Sequence, residues 1–289
     1  MPKPEGSGSE ERLLEELSSV VSAAADAILA ARRQALKTHT KADQSPVTAA
    51  DHASEAVILE ALYRLLPGVP VISEEAVAKS CPSQAPSGKF VLVDPLDGTR
   101  ELLAGRDEFT VNLAVMDGGA PWLGIVAAPA WGLLWRGIAG RGAERLVLAP
   151  GAPATAATSR SPIHTRQCPR SGLIAAVSRS HLDSRTDALL ARLPLAQRLA
   201  CGSAVKFCQL AEGKADVYPR LSYTCEWDVA AGHAILAAAG GVVTTPEGGI
   251  PSYGQRDEDF RVAGFIAWGD PSAAESLGLT SLGGAAPRP

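Results

Sequence analysis

Three short acidic clusters hold the residues of this sequence best suited to chemistry. They are Ser73-Glu74-Glu75, Asp94-Pro95-Leu96-Asp97-Gly98-Thr99 and Glu226-Trp227-Asp228. The first two follow apolar runs that read as buried strands, and the third opens an apolar run that reads as a helix. A carboxylate at the end of a buried strand is held rigidly beside a core. Several such groups brought together repel one another and take up protons unless a cation neutralises them. An all-oxygen, sulfur-free set suits a hard divalent ion, Mg²⁺ or Mn²⁺, better than zinc. Each cluster also has an ordinary structural explanation. Asp-Pro and Asp-Gly form turns, and Asp228 can cap the helix it opens. Glu74 and Glu75 can be a solvated strand end, and Asp51 stands three residues after Thr48, the spacing of a capping box. The conjunction of the four points to chemistry; no single one does.

The elements that must position these acids can be read from periodicity. Residues 11–36 carry Leu13, Leu17, Val20, Ala24, Ala27, Ile28 and Ala31 at helical steps. Thr48 is the expected N-cap of a helix reaching about Leu66, stopped by Pro67-Gly68. Strands are expected over 69–73 and 90–93, the second broken at Asp94-Pro95. Residues 110–116 and 122–127 read as strands joined by Asp117-Gly118-Gly119, with 131–137 and 144–147 extending an antiparallel sheet. Residues 80–88 read as a loop, and 153–162 as a boundary. Beyond it, strands are expected over 173–177, 215–218, 242–245 and 265–268, and helices over 186–193, 203–212 and 228–239. Residues 1–9 and 271–289, rich in Gly, Pro, Ser and Ala, read as disordered tails. The expected organisation is therefore a 10–160 subdomain carrying most of the acids, followed by a 161–270 subdomain.

Composition narrows the class. The chain of 289 residues is 46% hydrophobic and 20% charged, which suits a globular protein and not a fibrous or largely disordered one. A net charge of −4 argues against a nucleic-acid binder. Five cysteines, an odd number without a C-x-x-C pair, argue against a disulfide framework or structural zinc and for a reduced, cytoplasmic setting. The opening MPKPEGSGSEER has no apolar signal core, and the most apolar stretch, 229–243, is shorter than the ~20 residues of a transmembrane span. G-x-G-x-x-G and G-x-x-x-x-G-K-[ST] are both absent, which leaves dinucleotide redox chemistry and P-loop hydrolysis without support.

DPLDGT after an apolar run, with SEE upstream and WD-x-A-A-G downstream, resembles the metal-dependent, lithium-sensitive phosphomonoesterases. That superfamily includes inositol monophosphatases, fructose-1,6-bisphosphatases and 3′(2′),5′-bisphosphate nucleotidases. KADQSPVTAAD (41–51), EFTVNLAV (108–115), SRSH (178–181), GSAVKFC (202–208) and AEGKADVYPR (211–220) bring the likeness closest to the nucleotidase branch. The resemblance implies a layered α-β-α-β-α sandwich. It implies Glu74, Asp94, Asp97, Asp228 and the Leu96 carbonyl as ligands of two or three Mg²⁺ ions, with Mn²⁺ as a substitute. Thr99, oriented by Asp51, and Glu74 would activate the attacking water, while Gly98 and Thr99 offer N–H groups to the phosphate. Asp97, Leu96 and Asp228 would also touch the substrate. The phosphate that is not cleaved would be held by His181, Ser203, Lys206 and Arg220, the Ser203 and Lys206 side chains sharing a helix face. Arg100 and Leu102 depart from the usual DGTKEF, and Cys225 before Glu226 is a further departure that could lie near the site.

The implied reaction is hydrolysis of adenosine 3′,5′-bisphosphate to AMP by a monomer or homodimer acting on a small phosphate ester. Peripheral association with the inner membrane is compatible with it. The alternatives are an inositol or sugar-phosphate phosphatase of the same superfamily and a non-catalytic metal- or nucleotide-binding regulator. The intact Thr99, Asp51 and Glu74 count against the regulator.

Overall fold

The computed structural model describes residues 7–34, 38–40, 46–79, 86, 88–179, 182–255 and 259–277. His181, most of loop 80–88 and most of both tails lie outside the described residues. In chain order the elements are α1 (Ser7–Arg32), β1 (Thr38–Thr40), β2 (Pro46–Thr48), α2 (Ala49–Leu65), β3 (Val71–Ser73), α3 (Glu74–Lys79), β4 (Phe90–Asp97) and α4 (Thr99–Leu103). A meander follows: β5 (Thr110–Asp117), β6 (Ala120–Ala128), β7 (Leu133–Ile138), β8 (Gly142–Val147) and β9 (Ser159–Ile163). The chain then runs through β10 (Leu173–Ser178), α5 (Ser184–Leu190), β11 (Leu195–Cys201), α6 (Val205–Ala211), β12 (Val217–Arg220) and β13 (Thr224–Cys225). It continues with α7 (Glu226–Ala238), β14 (Val242–Thr244), β15 (Arg261–Val262), β16 (Phe265–Trp268) and α8 (Pro271–Ser276).

Two sheets carry the architecture. The larger has the order β3-β4-β5-β6-β7-β8-β9, parallel only between β3 and β4. The smaller has the order β11-β10-β12-β16-β14. Helices α1 and α2 cover one face of the larger sheet, α6 and α7 fill the space between the sheets, and α5 and α8 cover the far face of the smaller one. The layers are therefore α-β-α-β-α, as the resemblance implied. Because both faces of the larger sheet are covered, β4 is apolar on both sides. Val91 and Val93 pack toward α1 and α2, whereas Phe90 and Leu92 pack toward α7. The two-residue period then turns Asp94 toward α7 as well. Close approach of α7 depends on Gly124 of β6, where a Cβ would come within 2.3 Å of the Ala231 carbonyl oxygen.

Several expectations need correction. Strand β4 runs through Pro95 to Asp97. Its parallel neighbour ends at the Ser73–Val93 pair, and its register against β5 skips between Asp94 and Asp97. Pro95 therefore lies in a bulge, where no ladder bond needs its missing N–H. The stretch read as a boundary, 153–162, contains most of β9, which pairs with β8 as the last strand of the larger sheet. Ser203 is not on a helix: its φ is +52°, and α6 starts two residues later.

Candidate active site

At the end of β4 the bulge turns a strand into a loop around a carboxylate. Asp94 is 1% exposed, and its Oδ1 accepts the Leu96 N–H at 3.0 Å. The Pro95 carbonyl accepts the Ser54 hydroxyl at 2.7 Å, which ties the bulge to α2. Gly98 follows at φ +96°, where a Cβ would lie 2.5 Å from Ser203 Oγ and 3.1 Å from the Glu108 carbonyl oxygen. Glycine is required there both by the left-handed backbone and by the close approach.

Thr48 caps α2 as expected, and Asp51 completes the capping box. Asp51 Oδ2 accepts the Thr48 N–H at 2.8 Å and its hydroxyl at 2.7 Å. The other oxygen, Oδ1, accepts the Thr99 hydroxyl at 3.2 Å. That hydroxyl is also 3.3 Å from the Leu96 carbonyl oxygen. The structural and functional readings of Asp51 thus coexist in one side chain, divided between its two oxygens.

The third cluster splits in the same manner. Glu226 is fully buried and accepts the Gly254 and Gln255 N–H groups at 2.7 and 2.8 Å, so it holds a loop. Asp228 faces the cavity and accepts the Thr224 hydroxyl and, at 3.2 Å, the Cys225 N–H. Glu74 and Glu75 start α3; Glu75 is buried and Glu74 lines the cavity, so the solvated-end reading fails.

One cavity of about 330 Å³ gathers Glu74, Asp97, Thr99 and Asp228 on one side and Ser203, Lys206 and Arg220 on the other. Cys225 also lines it. Asp94 lies behind, and burial together with Glu74, Asp97 and Asp228 pushes its carboxyl well above the usual range. Burial and Asp228 raise Asp97 to about 6, against the opposing pull of Lys206 and Arg220. Among the described residues, no three acidic, histidine or cysteine side chains are drawn together tightly enough to hold an ion as they stand. Asp94 and Asp228 instead take the donors named above. The donor set nonetheless fits a hard dication: four mutually repelling carboxylates, no sulfur or imidazole, and a carbonyl in the same turn.

The basic side of the cavity is built around the start of α6 and the end of β12. Lys206 is 3% exposed, and its ammonium donates to the Ser203 carbonyl at 2.7 Å and to the Cys201 carbonyl at 3.4 Å. The Ser203 hydroxyl lies 2.9 Å from both the Asp97 and the Glu108 carbonyl oxygens. Arg220 donates to the Tyr223 carbonyl at 3.4 Å, while its buried Nε has no hydrogen-bond partner among the described residues. Sequence reasoning missed Glu108 and Arg179, which form a two-pronged ion pair; Glu108 also accepts the Gly202 N–H at 2.9 Å. It missed Thr224 at Asp228, and Thr110 and Asn112 opposite the acids of β4. A polar residue in mid-strand, at position 112 of an apolar run, was the available signal.

Residues 9–277 match the inositol monophosphatase family. The 3′(2′),5′-bisphosphate nucleotidase CysQ of Escherichia coli (strain K12) is 40% identical over 234 residues, 78% of this chain and 86% of that protein. CysQ of Salmonella typhimurium is 38% identical over 255 residues, 88% of this chain and 98% of that one. Among solved structures, CysQ from Bacteroides thetaiotaomicron superposes with a TM-score of 0.70 at 31% identity, covering 89% of this chain and 97% of its own. Cavity, layers and sequence agree, and the chain belongs to the inositol monophosphatase family.

Proposed function

We propose that this chain is a Mg²⁺-dependent phosphomonoesterase that hydrolyses adenosine 3′,5′-bisphosphate to AMP and phosphate. The observation that carries this reading is a single cavity with carboxylates on one wall and Lys206, Arg220 and Ser203 on the other. Bacterial relatives of 38–40% identity are bisphosphate nucleotidases. A substrate with two phosphates matches a site with two walls. The basic wall holds the phosphate that is retained, and the acidic wall, once charged with two or three Mg²⁺ or Mn²⁺ ions, receives the one that leaves. His181 belongs to the proposed basic wall by sequence and lies outside the described residues.

Glu74, Asp94, Asp97, Asp228 and the Leu96 carbonyl would hold the ions. Bound there, Mg²⁺ lowers the pKa of water and neutralises the charge of the phosphate ester. The protein's own part is positioning. Asp51 Oδ1 fixes the Thr99 hydroxyl proton, which leaves the Thr99 oxygen to accept a hydrogen bond from the attacking water and aim it. Glu74 helps polarise that water. Gly98 and Thr99 present N–H groups at the turn that leads into α4.

We read residues 10–160 and 161–270 as two subdomains that meet at this cavity. A reduced cytoplasmic setting and a monomeric or homodimeric state are part of the same proposal.

Phosphate release from a panel of adenosine 3′,5′-bisphosphate, inositol monophosphate and fructose-1,6-bisphosphate, with and without Mg²⁺, tests the reading. Turnover of the bisphosphate nucleotide should dominate and require the ion. Asp94→Asn should lower it by at least about 100-fold with the fold intact, since even residues behind metal ligands cost 10–100-fold. Lys206→Ala and Arg220→Ala should raise KM for the nucleotide by about 10-fold or more, the loss of one charge-assisted hydrogen bond. Preference for inositol monophosphate, or near-normal turnover by Asp94→Asn, contradicts the proposal.

A further inference from the structure

Strand β5 carries two polar side chains that the site described so far does not use. Its sequence TVNLAVMD alternates cleanly: Val111, Leu113 and Val115 pack toward α1 and α2, while Ala114 and Met116 pack between the sheets. Thr110 and Asn112 share the row of Ala114 and Met116, at 0% and 1% exposure. Thr110 Oγ1 and both polar atoms of the Asn112 amide are buried without a hydrogen-bond partner among the described residues. A fold selected for stability alone has no reason to retain such groups, because an apolar isostere of similar volume removes the cost of their desolvation.

Register says what they face. Asn112 is the cross-strand partner of Asp94, and Thr110 is the partner of Asp97. Directly opposed residues of an antiparallel pair have Cβ atoms about 4.5–5.5 Å apart on one face, within reach of a side-chain hydrogen bond. These two polar residues therefore stand beside the two acids of the DPLD turn. An amide carries two donors and a hydroxyl carries one. Both can satisfy carboxylate oxygens that the cation does not take.

We propose that Asn112 and Thr110 are positioning residues of the acidic site, holding the Asp94 and Asp97 carboxylates in the orientation that a bound dication requires. The inference rests on the reading of those two acids as cation ligands. Asp94 Oδ1 accepts the Leu96 N–H, and the polar pair on β5 has no hydrogen-bond partner among the described residues.

The test compares wild type with Asn112→Leu, Thr110→Val and Thr110→Ser. Melting is measured in EDTA, and Mn²⁺ affinity by electron paramagnetic resonance. Asn112→Leu and Thr110→Val should melt in EDTA no lower than wild type, and up to several degrees higher. Both should bind Mn²⁺ about 10-fold or more weakly. Thr110→Ser, which keeps the hydroxyl, should bind as wild type does. A lowered melting temperature in EDTA, or Mn²⁺ affinity within about twofold of wild type in both apolar variants, overturns the proposal and leaves the reading of the site standing. A folded wild type that binds no Mn²⁺ overturns that reading, and this inference with it.

Discussion

Asp51 divides its two oxygens between the N-terminus of α2 and the Thr99 hydroxyl, and this division makes its contribution separable. Removing an N-cap partner costs about 1 kcal/mol. Asp51→Ala should therefore lose stability as well as turnover. Thr99→Val, which fills the same space and leaves the cap intact, should lose turnover by about 10-fold or more while its melting temperature stays close to wild type. A Thr99→Val enzyme of normal rate would remove Thr99 from the mechanism. Asp97 gives a pH signature. Its carboxyl is raised from the ordinary 3.8 to about 6. Between those values the folded, cation-free protein holds a proton that the unfolded chain has released, so its stability falls as pH rises through this window. A cation replaces that proton, so its apparent affinity should weaken as pH drops below about 6. Titrating Mg²⁺ at pH near 5.5 in two buffers of different ionisation enthalpy should report proton release. Zero release there would contradict the shared acidic site.

At the scale of elements, the acids are positioned by strand and helix ends, and those ends depend on close packing. Asp228 is delivered by α7, which lies against β6 only because Gly124 has no Cβ to meet the Ala231 carbonyl. Gly124→Val should push α7 off the sheet, costing about 1–3 kcal/mol as overpacking. It should weaken Mg²⁺ activation through a residue that no substrate touches; thermal melts with Mg²⁺ titration of phosphate release check both. Unchanged melting and activation would show that α7 is not held at this crossing. Much of this frame was legible in the sequence. Thr48 and the helical period marked α2, and Asp117-Gly118-Gly119 between alternating runs marked β5 and β6. The strand LAQRLAC, residues 195–201, was missed because it has no β-branched residue and lies at the sheet edge, where most of its side chains are exposed or half-buried. Pro95 misled for the opposite reason: its usual penalty vanishes inside a bulge whose position no local signal announces. The acidic clusters stood out because a site puts charge where a core would put leucine. Glu108 and Arg179 did not, because a partly exposed ion pair has the same composition as any solvated surface.

At the scale of the whole molecule, the cavity is closed by contacts between segments far apart in the chain. Ser203, next to α6, reaches back to the Asp97 and Glu108 carbonyls of the DPLD side, and the Glu108–Arg179 ion pair clasps the same junction. Neither half alone has both walls. Glu74, Asp94, Asp97 and Thr99 come from the first part of the chain, and Asp228, Ser203, Lys206 and Arg220 from the second. Among the described residues no helix is long and apolar enough to cross a membrane. The layered sandwich therefore brings together acids that are distant in sequence and faces them with a cationic wall. The anomalous difference map of a crystal grown with Mn²⁺ tests this claim most directly. The account predicts peaks inside the cavity, bonded to oxygens of Asp94, Asp97, Glu74 and Asp228. Density absent from that cavity, or Mn²⁺ found only at unrelated surface carboxylates, would contradict it.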